Sequence, residues 1–99
     1  GPWIVTANEL GDPGALSIRQ RLGDVVMQEG TTANMTFDVA TIVSFVSSSM
    51  TLLPGDVIST GTPAGVGVFR DPPVFLKDGD VVTVEIERIG FIRNRVRAL

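Results

Sequence analysis

The sequence contains no cysteine and no histidine. Without cysteine, the chain can form neither disulfides nor thiolate metal sites. Without histidine, it cannot by itself build a Ser-His or Cys-His nucleophile pair or an imidazole metal site. Long apolar runs are also absent, because no stretch approaches the roughly 20 consecutive apolar residues of a membrane span. These absences exclude several common catalytic and membrane-anchoring arrangements from these residues.

The charge balance is mildly acidic, with 11 acidic against 8 basic residues and a net charge of -3. That balance gives no reason to expect a nucleic acid or a membrane surface as partner. The length of 99 residues suits one domain or part of one, and a hydrophobic fraction of 43% argues against disorder. With no cysteine to oxidise, we expect a reducing compartment, the cytoplasm.

The hydrophobic pattern predicts several short strands and one main helix. Residues 16–22 alternate between apolar and polar, and Gly23-Asp24 supplies the turn of a hairpin that returns through residues 25–28. Apolar residues at helical spacing predict a helix near residues 38–49, with Thr36 or Asp38 as its cap. Further strands are predicted at residues 3–6, 56–59, 80–87 and 91–97. This mixture predicts a β-rich α+β fold, arranged as a sandwich or roll.

Residues 58–67 read ISTGTPAGVG and combine hydroxyl groups with three glycines and a proline. A phosphate-binding P-loop would need a lysine directly after its last glycine, and the next lysine here is Lys77. Two interpretations remain. The stretch is a plain loop, or it is a strand end where Thr60, Gly61 and Thr62 hydrogen-bond a small carboxylate or enolate.

Two carboxylates, Glu85 and Glu87, lie two residues apart on a predicted strand. Such a pair can bind Mg²⁺ or Mn²⁺. The next strand, however, places arginines on one face by the same alternation. If the turn is centred on Gly90, Glu87 faces Arg93 and Glu85 faces Arg95, which gives a solvated cross-strand charge ladder. The ladder is the better explanation, and it also accounts for the basic residues near the end of the sequence.

Several segments, in this order, resemble the fumarylacetoacetate hydrolase superfamily. The most specific is Met50-Thr-Leu-Leu-Pro-Gly-Asp-Val-Ile58, which runs into Thr60-Gly-Thr-Pro-Ala-Gly-Val-Gly67. The other matching segments are residues 1–6, 73–82 and 90–96. The closest likeness is to the bacterial branch of 2-hydroxyhepta-2,4-diene-1,7-dioate isomerases, 5-oxopent-3-ene-1,2,5-tricarboxylate decarboxylases and acylpyruvate hydrolases.

The resemblance implies an enzyme of aromatic catabolism that acts on small 2-oxo or 1,3-dicarbonyl acids by isomerisation, decarboxylation or C–C hydrolysis. In such enzymes Mg²⁺ or Mn²⁺ chelates the 2-oxo acid and stabilises an enolate. The implied fold is a mixed β-roll, commonly in a homodimer. The second threonine of the Thr-Gly-Thr segment, Thr62 here, would contact the substrate carboxylate, with Gly61 permitting the approach and Thr60 supporting it.

The sequence departs from a complete enzyme of this family. The Glu-x-Glu pair, Asp and Lys of the family's metal site, and the His-Glu dyad of its hydrolytic members, all precede the segment that matches residues 1–6. Residues 1–99 therefore resemble the C-terminal part of a single catalytic domain, with no catalytic residue and no metal ligand of their own. We expect the isolated chain to be inactive and to associate with the missing N-terminal part, with a separate chain as a possible source of the metal half. The alternative is a non-catalytic β-rich module or a degenerate paralogue.

Overall fold

A computed structural model describes residues 2–99; Gly1, the first residue of one matching segment, lies outside the described residues. The described residues form a four-stranded sheet in the order β2-β1-β3-β4, and every neighbouring pair is antiparallel. The strands are β1 (Ser17–Leu22), β2 (Val25–Thr31), β3 (Val81–Ile86) and β4 (Gly90–Arg95). The α-helices are α1 (Ala7–Leu10) and α2 (Val39–Ser47), and short 3₁₀ helices lie at Pro13–Ala15, Thr32–Asn34 and Gly67–Phe69. The predicted β-rich α+β fold class is confirmed.

The β1–β2 hairpin forms where the alternating pattern predicts it. Leu22 pairs with Val25 across a two-residue turn, and Gly23 takes the positive φ of 57° that such tight hairpin turns require. The pairing slips between Gln20 and Arg21, so that Gln20 faces Gln28 but Arg21 faces Val26. Met27 is therefore the extra residue of a β-bulge, which leaves it outside the hydrogen-bonded ladder.

Helix α2 lies in the long connection between β2 and β3, and it confirms the main helix predicted near residues 38–49. Of the two predicted caps, Asp38 takes the role, because its carboxylate accepts a hydrogen bond of 2.7 Å from the Thr41 N–H. At the other end, the Ser47 and Ser48 hydroxyls donate to carbonyl oxygens three residues back. Serines that bond their own backbone in this way favour the end of a helix.

The predicted strand at residues 3–6 does not form. Those residues lead into the short helix α1, and they are held by a side chain instead of a ladder. The indole N–H of Trp3 donates to the Ile89 carbonyl oxygen at 2.9 Å, and its ring lies against Gly90, where a Cβ would approach within 2.9 Å. Trp3 stays 54% exposed, so it fastens the segment to the sheet without entering a core.

The predicted charge ladder between β3 and β4 is wrong in register. Ile86 pairs with Gly90, which centres the turn on Arg88 and places Arg93 opposite Thr83. The reason is the backbone of Arg88, whose positive φ of 60° forms the turn two residues earlier than Gly90 would. Ion pairs form across other strands. Glu85 lies 4.0 Å from Arg21, and Arg19 binds Glu29.

Apolar burial is slight in the described part of the chain. The buried large apolar side chains are Leu16 and Met27, at 3% and 9% exposure, while Phe45, Val57 and Phe69 are between 74% and 91% exposed. The accessible surface is 7888 Å², against about 5,400 Å² expected for a compact protein of 10.5 kDa. The radius of gyration is likewise 15.6 Å, against about 12.6 Å expected. The described residues therefore leave apolar surface uncovered on α2, on the connection to β3 and on parts of the sheet, where Val25 and Phe91 are each 61% exposed.

Candidate functional site

A groove of about 500 Å³ lies between the end of β2 and the segment at residues 60–64. Its lining comprises Ile18 and Ile42 together with residues 29–32, 34–37 and 60–64. The three predicted site residues Thr60, Gly61 and Thr62 are all in this lining. The structure therefore brings them together on one wall and sets them opposite the start of the connection to α2.

This wall is an extended loop, which is one of the two interpretations of the stretch, and the strand predicted at residues 56–59 does not form, since residues 56–66 take part in no ladder. Gly61 and Gly65 have φ angles of 109° and 108°, which interrupt a strand. Pro63, which lacks an N–H, could not donate to a ladder in any case. The backbone instead runs beside β2 and is held there by side chains.

Gln28, on β2, makes the first of these attachments. Its side-chain amide nitrogen Nε2 donates to the Thr62 hydroxyl oxygen at 2.8 Å and to the Pro63 carbonyl oxygen at 2.5 Å. Gly30 makes room for the same loop, because a Cβ there would lie 3.1 Å from the Pro63 Cβ. Gln28 and Gly30, which lie two residues apart on β2, thus fix where Thr62 and Pro63 lie.

Arg70 makes the second attachment. Its Nε donates to the Gly65 carbonyl oxygen at 3.0 Å, and its Nη2 donates to the carbonyl oxygen of Met27. Because Met27 is the bulge residue, its carbonyl is free of the ladder and can accept from a side chain. Gly65 is required by the same contact, since a Cβ at that position would lie 2.2 Å from the Met27 oxygen.

The polar groups of the groove are mainly hydroxyls, and they are not equally available. Thr32 is engaged on both sides, accepting from the Leu16 N–H at 2.8 Å and donating to the Pro13 carbonyl at 2.5 Å. The carboxylate of Glu29 is neutralised by Arg19, whose Nε donates to it at 2.9 Å. Thr60 and Thr62 are exposed and lie on the opposite wall. A groove with hydroxyl donors and a neutralised carboxylate can bind a small anionic or carbonyl-bearing molecule.

The second candidate, the pair Glu85 and Glu87, is used structurally. Glu85 lies beside Arg21, and the Glu87 carboxylate accepts a 3.0 Å hydrogen bond from the Ser17 N–H. That bond lowers the pKa of Glu87 below its ordinary value. Among residues 2–99 no three acidic, histidine or cysteine side chains converge on a point where a metal ion could bind. The described residues therefore do not fit the divalent cation that the resemblance implies.

Sequence reasoning missed Gln28 and Arg70. Their partners lie 34 and 43 residues away in the chain, and the bulge that presents the Met27 carbonyl is not visible in an alternating pattern. The one available signal for Arg70 is its position as a single charged side chain after a glycine-rich apolar stretch. Among residues 2–99, no helix is long and apolar enough to cross a bilayer.

This chain is similar to several known proteins, among them the following three, each of which is about three times as long. It is 51% identical over 96 residues to the bovine mitochondrial protein named oxaloacetate tautomerase FAHD2A, covering 97% of this chain and 31% of that protein. The crystal structure of 2-hydroxyhepta-2,4-diene-1,7-dioate isomerase from Mycobacterium marinum matches with a TM-score of 0.81 and 47% identity, over 98% of this chain and 34% of that one. The structure of maleylpyruvate hydrolase from Sphingobium sp. SYK-6, in complex with manganese(II) and pyruvate, matches with a TM-score of 0.86 and 37% identity, over 98% and 34%.

The family assignment follows from the match over the chain as a whole. The family model described as fumarylacetoacetate (FAA) hydrolase C-terminal matches residues 1–97. The solved relatives share the sheet and helix described above, so sequence and fold agree. The chain belongs to the fumarylacetoacetate hydrolase family.

Proposed function

We propose that residues 1–99 are the C-terminal part of a single catalytic domain that acts on a small 2-oxo or 1,3-dicarbonyl acid. In this proposal, the loop at residues 60–64 binds the substrate carboxylate while the acid is isomerised, decarboxylated or hydrolysed at a C–C bond. The observation that carries it is the position of Thr62 on the groove wall, fixed there by Gln28. The named substrates of two relatives, oxaloacetate and maleylpyruvate, are 2-oxo acids, which supports the same class.

The roles within the loop follow from its geometry. Thr62 provides the hydroxyl that donates to a carboxylate oxygen. Gly61 has no side chain, and nothing lies within 4 Å of the position a Cβ would take, so its backbone is open to a ligand. Thr60 lines the same wall one residue earlier and supports the loop. A hydroxyl and an open backbone are sufficient to bind one end of a small acid, and they supply no acid or base.

The rest of the site would come from a part of the domain that precedes these residues. The relatives are about three times longer than this chain, and the apolar surface around α2 and the sheet is uncovered. Exposed apolar area of this extent marks a surface that another part of a protein covers. We therefore assign that surface to the N-terminal part, and we call the two parts together the whole domain. In this proposal, magnesium or manganese would be held by the N-terminal part. Formation of a homodimer and a cytoplasmic location stay predictions.

The first experiment tests the division between the two parts. The purified 99-residue chain is incubated with Mg²⁺ and a simple acylpyruvate, and cleavage is followed by loss of the enol absorbance. We expect no turnover by the chain and turnover by the whole domain. Turnover by the chain alone would contradict the proposal, and an inactive whole domain that binds no 2-oxo acid would favour the non-catalytic module.

The second experiment tests the carboxylate wall. Thr62→Val keeps the shape of the side chain and removes its hydroxyl. In the whole domain we expect KM for a 2-oxo acid to rise roughly 10- to 100-fold, because a hydrogen bond to a charged group is lost. Thr62→Ser is the matched control, since it retains the hydroxyl and should stay within a few-fold of the wild type. Equal KM values for Thr62→Val and the wild type would refute the role of Thr62.

A further inference from the structure

We propose that Gln28 is a positioning residue that makes the Thr62 hydroxyl a hydrogen-bond donor toward the groove. The inference rests on the proposed function, since it explains how the wall comes to favour an anion. Nothing in the family resemblance assigns a role to this glutamine. Three features of the structure support the inference: the orientation of the amide, the freedom of the hydroxyl proton, and the contacts that hold Gln28 in place.

The orientation of the amide is fixed by the Pro63 carbonyl. A carbonyl oxygen accepts hydrogen bonds and cannot donate them, so the side-chain atom 2.5 Å away must be the Gln28 nitrogen and not its oxygen. The same nitrogen lies 2.8 Å from the Thr62 hydroxyl oxygen. Its two hydrogens are therefore both used, one by each partner.

The proton of the Thr62 hydroxyl is then free for another partner. Its oxygen already accepts from Gln28, and it donates to no acceptor among residues 2–99. Because the side chain is exposed on the wall of the groove, its O–H is available to a ligand there. A wall that offers a donor favours a carboxylate or an enolate, both of which only accept. By using one of the two acceptor lone pairs of the hydroxyl, Gln28 makes the wall favour acids over neutral analogues that present an N–H at the same place.

The position of Gln28 is itself constrained on both sides. The preceding residue, Met27, is buried and has its carbonyl bound by Arg70. Two residues later, Gly30 leaves room for Pro63, because a Cβ at residue 30 would lie 3.1 Å from the Pro63 Cβ. The bulge therefore sets the face on which Gln28 emerges, and the amide can reach the loop only from there. A glutamine one residue earlier or later would point to the other face of β2.

The test is a double-mutant cycle in the whole domain, with Kd measured for pyruvate as the probe and KM measured for an acylpyruvate. Gln28→Met keeps the length of the side chain and removes its donors, and Thr62→Val removes the hydroxyl. We expect Gln28→Met alone to weaken pyruvate binding roughly fivefold to tenfold, as for one lost hydrogen bond. In the Thr62→Val background it should have little further effect, because the hydroxyl it orients is gone.

A second variant separates orientation from space filling. Gln28→Glu has nearly the same size but presents acceptors to Pro63 and Thr62, so the hydroxyl would donate to residue 28 and be withdrawn from the groove. We expect it to weaken pyruvate binding more than Gln28→Met, with melting temperatures of both variants recorded as a control. Additive effects in the cycle, or equal affinities for wild type and Gln28→Met, would overturn the inference. If Thr62→Val still weakens pyruvate binding, those results leave the proposed function intact. If Thr62→Val does not change pyruvate binding, the proposed function and the role of Gln28 both fail.

Discussion

Two arginines fasten irregular segments to this sheet by the same chemistry, and they differ in their surroundings. Arg70 donates to the carbonyl oxygens of Gly65 and Met27, and we call this contact the groove clamp. Arg88 donates to the carbonyl oxygens of Leu10 and Asp12, at 3.0 and 3.2 Å, and we call this the hairpin clamp. The groove clamp holds the candidate site against β2, whereas the hairpin clamp holds the segment before β1 against the β3–β4 turn.

The two clamps make the same number of hydrogen bonds and differ in burial, and we expect burial to decide how much each contact stabilises the fold. Arg70 is half-buried, and one of its acceptors belongs to a buried bulge residue that has no ladder partner. Arg88 and Asp12 are exposed, so water can replace the arginine when it is removed. We therefore expect equal substitutions at the two clamps to have unequal effects.

The largest effect is expected from alanine at Gly65. Gly65 and Gly11 each belong to one clamp, and their φ angles of 108° and 76° are both unfavourable for alanine, at about 1–2 kcal/mol each. A Cβ at Gly11 would lie 3.8 Å from the Arg88 Nη1, an ordinary contact, while one at Gly65 would lie 2.2 Å from a backbone oxygen. The added clash should cost Gly65→Ala a further 1–3 kcal/mol or so.

Thermal unfolding of the whole domain measures this difference, and Gly11→Ala is its matched control. We expect a clearly lower melting temperature for Gly65→Ala, together with faster amide exchange in residues 59–66. If the two alanine variants have the same melting temperature, the close approach of the loop to β2 is not what requires the glycine at residue 65.

A smaller effect is expected from removing the arginines themselves. Arg70→Met should destabilise the groove clamp by about 1.5–3 kcal/mol, because the buried Met27 carbonyl loses its charged donor. Arg88→Met removes the same number of hydrogen bonds from exposed carbonyls and should cost well under half as much. Amide exchange of the two held segments distinguishes them, and pyruvate affinity should fall only for Arg70→Met. Equal losses of stability in Arg70→Met and Arg88→Met would show that burial does not determine how much each clamp stabilises the fold.

The predictable parts of the molecule are those set by local sequence. The β1–β2 hairpin follows from alternation and a glycine that accepts a positive φ, and helix α2 follows from apolar spacing and the Asp38 cap. Each of these signals lies within a few residues of the structure it causes. The presence of Thr60, Gly61 and Thr62 in one wall was implied by the family resemblance, since the pattern alone left a loop or a strand end.

The parts that could not be predicted depend on distant partners or on an unusual backbone. The β3–β4 register depends on the backbone conformation of Arg88. Its positive φ has no sequence signal, because glycine is the residue that ordinarily marks such a position. Gln28 acts through a loop far along the chain, after a bulge has changed its face. A side chain that serves the site from the body of a strand looks, in the sequence, like any other polar strand residue.

The smallest expected effect is a pH dependence that we expect beside the hairpin clamp and not at the groove clamp. Beside the hairpin clamp, the Ser17 N–H hydrogen bond lowers the pKa of Glu87 below its ordinary value of 4.5. A lowered folded-state pKa means that this contribution is present above pH 4.5 and is lost as the pH falls through the folded value. The groove clamp and Gln28 use guanidinium, amide, hydroxyl and carbonyl groups, and no carboxylate takes part in these contacts.

Acid should therefore loosen the hairpin side of the sheet while the loop at residues 59–66 stays protected. The measurement is the protection factor of the Ser17 amide, corrected for intrinsic exchange, in the wild type and in Glu87→Gln. The glutamine is neutral at every pH, so the wild type should be better protected near neutrality, and the two proteins should converge as the pH falls through the folded-state pKa of Glu87. A difference that persists unchanged in acid would mean that the carboxylate charge of Glu87 does not hold Ser17. Loss of protection in the loop over the same range would mean that the groove wall depends on a titrating group that these contacts do not include.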